Sequence, residues 1–70
     1  MDSQRIYSTQ IKAIGYDEEM HLLEISFYRN GVFHYWGVPA WVYREFLSRV
    51  GKGRYYEREI RGKYRCTKVR

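Results

Sequence analysis

Most of the basic side chains lie in the last third of the sequence, where the chemistry they offer is the binding of a polyanion. Residues 48–70 contain nine Lys or Arg against two Glu, a net charge of +7, whereas residues 1–47 carry −2. This concentration favours a nucleic-acid partner, and a solvated tail that only aids solubility is the alternative. The candidate phosphate contacts are Arg49, Lys52, Arg54, Arg58, Arg61, Lys63, Arg65 and Lys68.

Two tyrosines in the same region, Tyr55 and Tyr64, are candidates for base stacking. Stacking requires a ring face that is open to solvent. The ordinary role of the thirteen aromatic residues in so short a chain is to close its core, because each ring buries a large apolar area. Whether Tyr55 and Tyr64 are exposed is left open by the sequence.

The residue types of catalytic and metal sites are present but scattered. His21, His34 and Cys66 are isolated from one another, and a metal site needs three or four ligands at suitable spacing. The acidic pairs at residues 18–19 and at 57 and 59 fit a solvated turn and ion pairs on a helix. We therefore expect no catalytic site, metal, cofactor or small-molecule substrate.

The cysteine content and the apolar segments of the sequence indicate its cellular location. Cys66 is the single cysteine, so no intramolecular disulfide can form, and a reducing cytoplasm fits better than secretion. The first residues lack an apolar stretch behind a basic one, and the apolar runs are too short to span a bilayer. We expect a cytoplasmic protein with no membrane partner.

The element pattern predicts one α+β domain over residues 1–70, of which residues 1–7 are expected to be flexible. Strands are predicted at residues 10–16, 22–28 and 32–36, and they form a three-stranded antiparallel meander. Asn30-Gly31 marks the hairpin between the last two.

The hairpin register decides which aromatic residues enter the core. A two-residue loop at Asn30-Gly31 would pair Phe27 with His34 and place Phe33 and Tyr35 on the outer face. A three-residue loop at residues 29–31, with Gly31 left-handed, pairs Phe27 with Phe33 and keeps one face free of charge. Since a one-residue slip exchanges the faces, we predict the three-residue loop and a core that contains Phe33 and Tyr35.

Helices are predicted on the C-terminal side of the meander. Pro39 suits a first helical turn, and the apolar stripe Val38, Val42, Phe46, Leu47 and Val50 predicts an amphipathic helix that Gly51 ends. Residues 54–61 predict a second, short helix held by Tyr56 and Ile60 and ended by Gly62. On it Arg54, Arg58 and Arg61 would form one basic ridge. The alternation in residues 64–69 predicts an edge strand with Tyr64, Cys66 and Lys68 on one side.

An ordered set of motifs runs from about Ser8 to Val69: Ser8-Thr9, Ile11, Ala13-Ile14-Gly15-Tyr16-Asp17, Leu23-Glu24-Ile25-x-Phe27, Gly31-Val32-Phe33-His34-Tyr35, Val38-Pro39, Val42-Tyr43, Phe46-Leu47, Gly53-x-Tyr55-Tyr56, Ile60 and Tyr64. This set resembles the KTSC domain, which occurs at the C-terminus of some lysyl-tRNA synthetases and as a small stand-alone bacterial or phage protein. The hallmark Tyr-x-Tyr of that family reads Phe33-His34-Tyr35 here, so the first hydroxyl is absent, and Tyr56 stands where Phe is common. Because the domain is fused to some lysyl-tRNA synthetases, the resemblance implies RNA binding. This implication rests on the fusion and not on a known mechanism of the domain.

Two functions follow as hypotheses. The first is RNA binding without sequence preference, through the C-terminal cations and a stacking tyrosine. The second is a protein-interaction or homodimerisation module that uses Tyr28, Val32 and Trp36 on the outer sheet face, with Trp41 nearby. The alternative to the second hypothesis is that the C-terminal segment of the chain covers this outer face.

Overall fold

The computed structural model describes the backbone of residues 3–5 and all of residues 10–70. Within these residues no helix is long and apolar enough to cross a membrane. The strands are β1 (Ser3–Arg5), β2 (Ile11–Asp17), β3 (Leu22–Phe27), β4 (Gly31–Trp36) and β5 (Arg65–Lys68). The helices are α1 (Ala40–Ser48) and α2 (Lys52–Tyr55), and α2 continues directly into a π-helical turn, Tyr56–Ile60.

The strands form one antiparallel sheet whose spatial order follows the chain, β1 to β5. The predicted α+β meander is confirmed, and the edge strand predicted at residues 64–69 is present as β5. The sequence analysis missed β1, because it expected residues 1–7 to be flexible, whereas Ser3–Arg5 pairs with β2. Residues 1, 2, 6 and 7 of that range lie outside the described residues.

The hairpin between β3 and β4 turns Phe33 and Tyr35 toward the core as predicted, but it pairs them with other residues than predicted. Ile25 pairs with Phe33 and Leu23 with Tyr35, and the three-residue loop is residues 28–30, one position earlier than predicted. The predicted partners are therefore wrong by two residues, but a shift of two keeps each side chain on its face. Gly31 has the predicted positive φ, +96°, as the first residue of β4.

A bulge in β2 explains an apolar spacing that a regular strand does not allow. Ile11 and Ile14 are both fully buried, although residues three apart in a strand point to opposite faces. The pairing with β3 shifts between Ile11 and Ala13, and the extra residue returns Ile11 to the core face.

Helix α1 covers the sheet with the apolar stripe that the sequence predicts, except at its end. Val38, Val42 and Phe46 are buried, and Pro39 caps the first turn with an extended backbone. The helix ends at Ser48, because Arg49 is extended with a ψ of 138°. Val50 leaves the helical face as a result and is 98% exposed, so its predicted place in the core is wrong.

The second helical segment differs from the predicted regular helix. The amide of Arg61 donates to the carbonyl of Tyr56, five residues back, as in a π turn. This wider turn buries Tyr55 together with Ile60, where the sequence predicted Tyr56 with Ile60. Gly62 follows with a φ of +76° and ends the segment as predicted. The buried core consists of Ile11, Ile14, Leu23, Ile25, Tyr35, Val38, Val42, Phe46, Tyr55 and Ile60.

Candidate nucleic-acid interface

Four of the predicted cations line one concavity where α1 meets α2. Arg49 follows α1, Lys52 and Arg54 belong to α2, and Arg58 lies on the π turn. The concavity has a volume of about 910 Å³, and Gln10 and Glu57 also border it. We call it the basic groove, defined by Arg49, Lys52, Arg54 and Arg58.

Arg49 and Lys52 are held by contacts at the junction of α1 and α2. The Nη2 of Arg49 donates to Glu45 Oε1 at 2.9 Å, and its guanidinium lies 5.4 Å from the centre of the Tyr55 ring. The ammonium group of Lys52 donates to the carbonyl oxygen of Arg49. These contacts fix the first two cations at the rim of the groove.

The other two cations of the groove are less engaged. Arg58 Nε lies 3.2 Å from Glu59 Oε2, and both side chains are about half exposed. Arg54 forms no ion pair with any residue of the described part of the chain. Exposed ion pairs contribute only about 0–1 kcal/mol, so a phosphate can displace Glu45 or Glu59 at little cost. The acidic neighbours therefore leave the groove able to bind an anion.

The remaining predicted cations do not extend this groove, and the single basic ridge that the sequence predicted is wrong. Arg61 follows the π turn, donates to both carboxylate oxygens of Glu57 at 3.0 and 3.3 Å, and borders a different concavity. Because a π turn advances by a smaller angle per residue than an α-helix, it takes Arg61 out of line with Arg54 and Arg58.

The cations of β5 lie on opposite faces of the sheet. Arg65 pairs across from Trp36 and lies 5.8 Å from its ring centre, whereas Lys68 pairs across from Phe33 and lies 6.0 Å from that ring. Their positions are three apart in the strand, so the alternation of side chains points them to opposite faces. Lys63 is exposed in the turn before β5 and does not line the basic groove.

The predicted stacking tyrosines Tyr55 and Tyr64 lie in different surroundings, and neither presents an open ring to the basic groove. Tyr55 is 2% exposed and stacks on Phe46, with ring centres 5.5 Å apart and planes inclined by 21°. Burial raises the pKa of Tyr55 above its ordinary value. Tyr64 is half-buried and packs against the core. The stacking role expected of Tyr55 is wrong because its ring packs on Phe46 in the core, beneath the basic groove.

Partly open rings are found instead in a second concavity, which the sequence analysis missed. Its volume is about 750 Å³, and we call it the aromatic pocket, defined by Phe27, Phe33, Tyr35 and Tyr56. The rings meet edge to face: Phe27 lies 5.3 Å from Tyr56 and 5.7 Å from Phe33, and Tyr35 lies 6.0 Å from Tyr56. The exposed Tyr28, Arg29, Arg61 and Cys66 also line the pocket.

Two tyrosine hydroxyl groups lie among the rings of the aromatic pocket. The hydroxyl oxygens of Tyr35 and Tyr56 are 2.7 Å apart. Burial raises the pKa of Tyr35, and the hydrogen bond with Tyr56 raises it further. The phenol is therefore protonated at neutral pH and can act as a hydrogen-bond donor.

The outer sheet face that the second hypothesis needs is partly covered. Trp36 Nε1 donates to the Thr67 hydroxyl of β5 at 3.3 Å, and Arg65 lies over its ring. His34 Nε2 lies 2.9 Å from Glu24 Oε1 on the same face. Tyr28 and Trp41 are 55% and 58% exposed.

Among the described residues, no three His, Cys, Asp or Glu side chains are grouped closely enough to hold a metal ion.

The fold and site together define a small α+β domain in which a five-stranded antiparallel sheet carries a helical segment with a cation-lined groove. The profile of the KTSC domain matches residues 7–64, and the chain therefore belongs to the KTSC domain family. The crystal structure of a KTSC domain protein from Yersinia pestis is 39% identical in sequence and superposes with a TM-score of 0.97. That match covers 99% of this chain and 97% of the other. Comparison with curated proteins gives no match.

Proposed function

We propose that this KTSC domain binds RNA, of tRNA-like or single-stranded form, through contacts of the basic groove with phosphates. The observation that carries the proposal is the convergence of Arg49, Lys52, Arg54 and Arg58 on one concavity. These contacts read charge and not base edges, so they give little sequence preference. The role is one of binding, without catalysis, and an intracellular RNA partner would require a cytoplasmic location.

A pair of charge-matched variants tests the proposal. Arg54→Ala/Arg58→Ala removes the two less engaged cations of the groove, and Arg44→Ala/Arg65→Ala removes two cations that do not line it. Both lower the net charge by two, so a difference between them reports position and not total charge. We expect the groove variant to bind tRNA at least tenfold more weakly and the control to bind within about threefold of the parent, by fluorescence anisotropy in 50 mM salt.

The ligands in that experiment also define the class of partner. We expect tRNA and an unrelated single-stranded RNA to bind with similar affinity, and duplex DNA of equal length serves as the comparison. Thermal melting of each variant shows whether the fold is intact, since all four substituted side chains are exposed. Equal binding by the two charge-matched variants would contradict the proposal that the basic groove binds RNA.

A protein-interaction role is the second candidate, and the exposure of Trp41 and Tyr28 supports it. Large aromatic side chains with more than half of their surface open to water are characteristic of interface centres. If the domain self-associates through them, its sedimentation coefficient rises with concentration and Trp41→Glu abolishes the rise. A concentration-independent monomer contradicts homodimerisation.

A further inference from the structure

We propose that the aromatic pocket receives one unpaired nucleobase of the RNA strand whose phosphates lie in the basic groove. The inference rests on the proposed function and adds the part of the ligand that the groove does not contact. It also replaces the stacking role that the buried Tyr55 cannot fill.

Continuity between the two concavities is the first argument. Gln10 and Glu57 border both the basic groove and the aromatic pocket, so the two share a common edge. A strand that leaves the groove at Arg58 meets this edge directly, because Glu57 and Arg58 are adjacent on the π turn. Arg61 and Arg29 then lie at the border of the pocket and supply positive charge for the next phosphate.

The shape and lining of the pocket suit a flat aromatic ligand. Its volume of about 750 Å³ falls in the range of roughly 300–1,000 Å³ that is usual for small-molecule sites. Phe27, Phe33 and Tyr56 are each only partly buried, and their edge-to-face arrangement presents ring surface to the cavity. Aromatic side chains of this kind stack on bases of any sequence.

The hydroxyl groups can serve either type of base edge. The hydroxyls of Tyr56 and Tyr35 share one hydrogen bond, and either can be the donor. One of their two hydrogens suffices for this contact. When Tyr35 donates to Tyr56, the Tyr56 hydrogen is left to donate to the ligand, and when Tyr56 donates to Tyr35, the Tyr56 oxygen can accept from the ligand. Either a carbonyl or an amino edge of a base is therefore satisfied.

An oligonucleotide that lacks bases separates this inference from the proposed function. We compare an eight-nucleotide single-stranded RNA with an abasic strand of equal length and equal phosphate number, using the unaltered protein. Stacking of one base predicts that the base-containing strand binds about tenfold more tightly. Equal affinity for the two strands overturns the base pocket while leaving phosphate binding intact. Failure of both strands to bind overturns the proposed function and this inference with it.

Variants locate the preference in the aromatic pocket. Tyr28→Ala removes an exposed ring from the lining, and Phe33→Leu removes a partly buried one while keeping apolar bulk. We expect each to reduce the ratio of the two affinities at least threefold, and Arg54→Ala/Arg58→Ala to weaken both strands and leave their ratio unchanged. A ratio that stays at its original value in a folded Tyr28→Ala protein places the base elsewhere and contradicts the inference.

Discussion

The cations of the basic groove and the cations that follow the π turn differ in what they contact. Arg49, Lys52, Arg54 and Arg58 line one concavity, whereas Arg61 pairs with Glu57 and the cations of β5 lie over rings on opposite faces of the sheet. The same excess of charge thus lines one concavity in the first region and forms a set of separate contacts in the second. The difference shows that backbone geometry, and not the density of basic residues, decides where cations converge.

The largest expected effect comes from removing the support beneath the basic groove. Phe46 is fully buried and stacks on Tyr55, which anchors α2. We expect Phe46→Ala to lower the free energy of unfolding by about 3–5 kcal/mol, through the lost burial and the cavity left behind. Val50→Ala is the control, because the sequence placed Val50 in the same stripe but it is 98% exposed. Urea unfolding measures both, and comparable losses would contradict this packing.

The next largest effect is expected in the region that follows the π turn, where the residues after β5 pack against Gly31 at the start of β4. The φ of Gly31 is +96°, and a Cβ there would collide with the backbone carbonyl oxygen of Arg70. We expect Gly31→Ala to lower the free energy of unfolding by about 3 kcal/mol, through backbone strain and the displacement of the C-terminal segment. Gly53→Ala is the matched control: its Cβ would meet only the Gln10 side chain, at 3.4 Å, and alanine favours the helix. A Gly31→Ala protein as stable as its control would show that the edge tolerates a side chain.

The hairpin at Gly31 shows how much of the fold could be predicted from the sequence. Asn30-Gly31 predicted the hairpin and the left-handed Gly31, and the charge-free face correctly selected Phe33 and Tyr35 for the core side. The partners across the hairpin were wrong because a loop one residue earlier satisfies the same faces. Face alternation alone cannot distinguish registers that differ by two.

The candidate site was less predictable than the fold, and the π turn is the reason. An α-helical spacing aligned Arg54, Arg58 and Arg61 and left the exposure of Tyr55 open, whereas in the structure Tyr55 is buried and the π turn separates Arg61. The five-residue interval between Tyr55 and Ile60 was the one available signal. The aromatic pocket brings together β3, β4 and the π turn, so no local pattern could have shown it.

A smaller effect is expected from the Tyr35 hydroxyl, because burial raises its pKa in the folded state. An unfolded tyrosine ionises near pH 10, so this contribution to stability is complete below pH 10 and is lost as the pH rises further. Each such tyrosine lowers the free energy of unfolding by about 1.4 kcal/mol per pH unit in that range. We expect Tyr35→Phe to make the decline between pH 10 and pH 11.5 shallower by that amount, measured by urea unfolding at several pH values. An unchanged slope would contradict the burial of this phenol.

The smallest effect is expected at Glu57, the acidic residue that borders both concavities. Glu57→Gln removes its negative charge and frees Arg61 from an exposed ion pair, with little change in shape. We expect RNA affinity to rise about two- to fivefold in 50 mM salt, with no loss of stability beyond about 0.5 kcal/mol. Weaker binding would mean that Glu57 orients Arg61 for the ligand.

The salt dependence of RNA binding tests the phosphate-binding groove most directly. Four phosphate contacts to a single strand predict a slope of about −2.8 for the logarithm of the association constant against that of the salt concentration, equivalent to roughly a 50-fold loss from 50 to 200 mM. Removal of Arg54 and Arg58 should halve the slope, whereas the Arg44→Ala/Arg65→Ala control should keep it. A slope near zero, or equal slopes in the two variants, would contradict the assignment of phosphate binding to the basic groove.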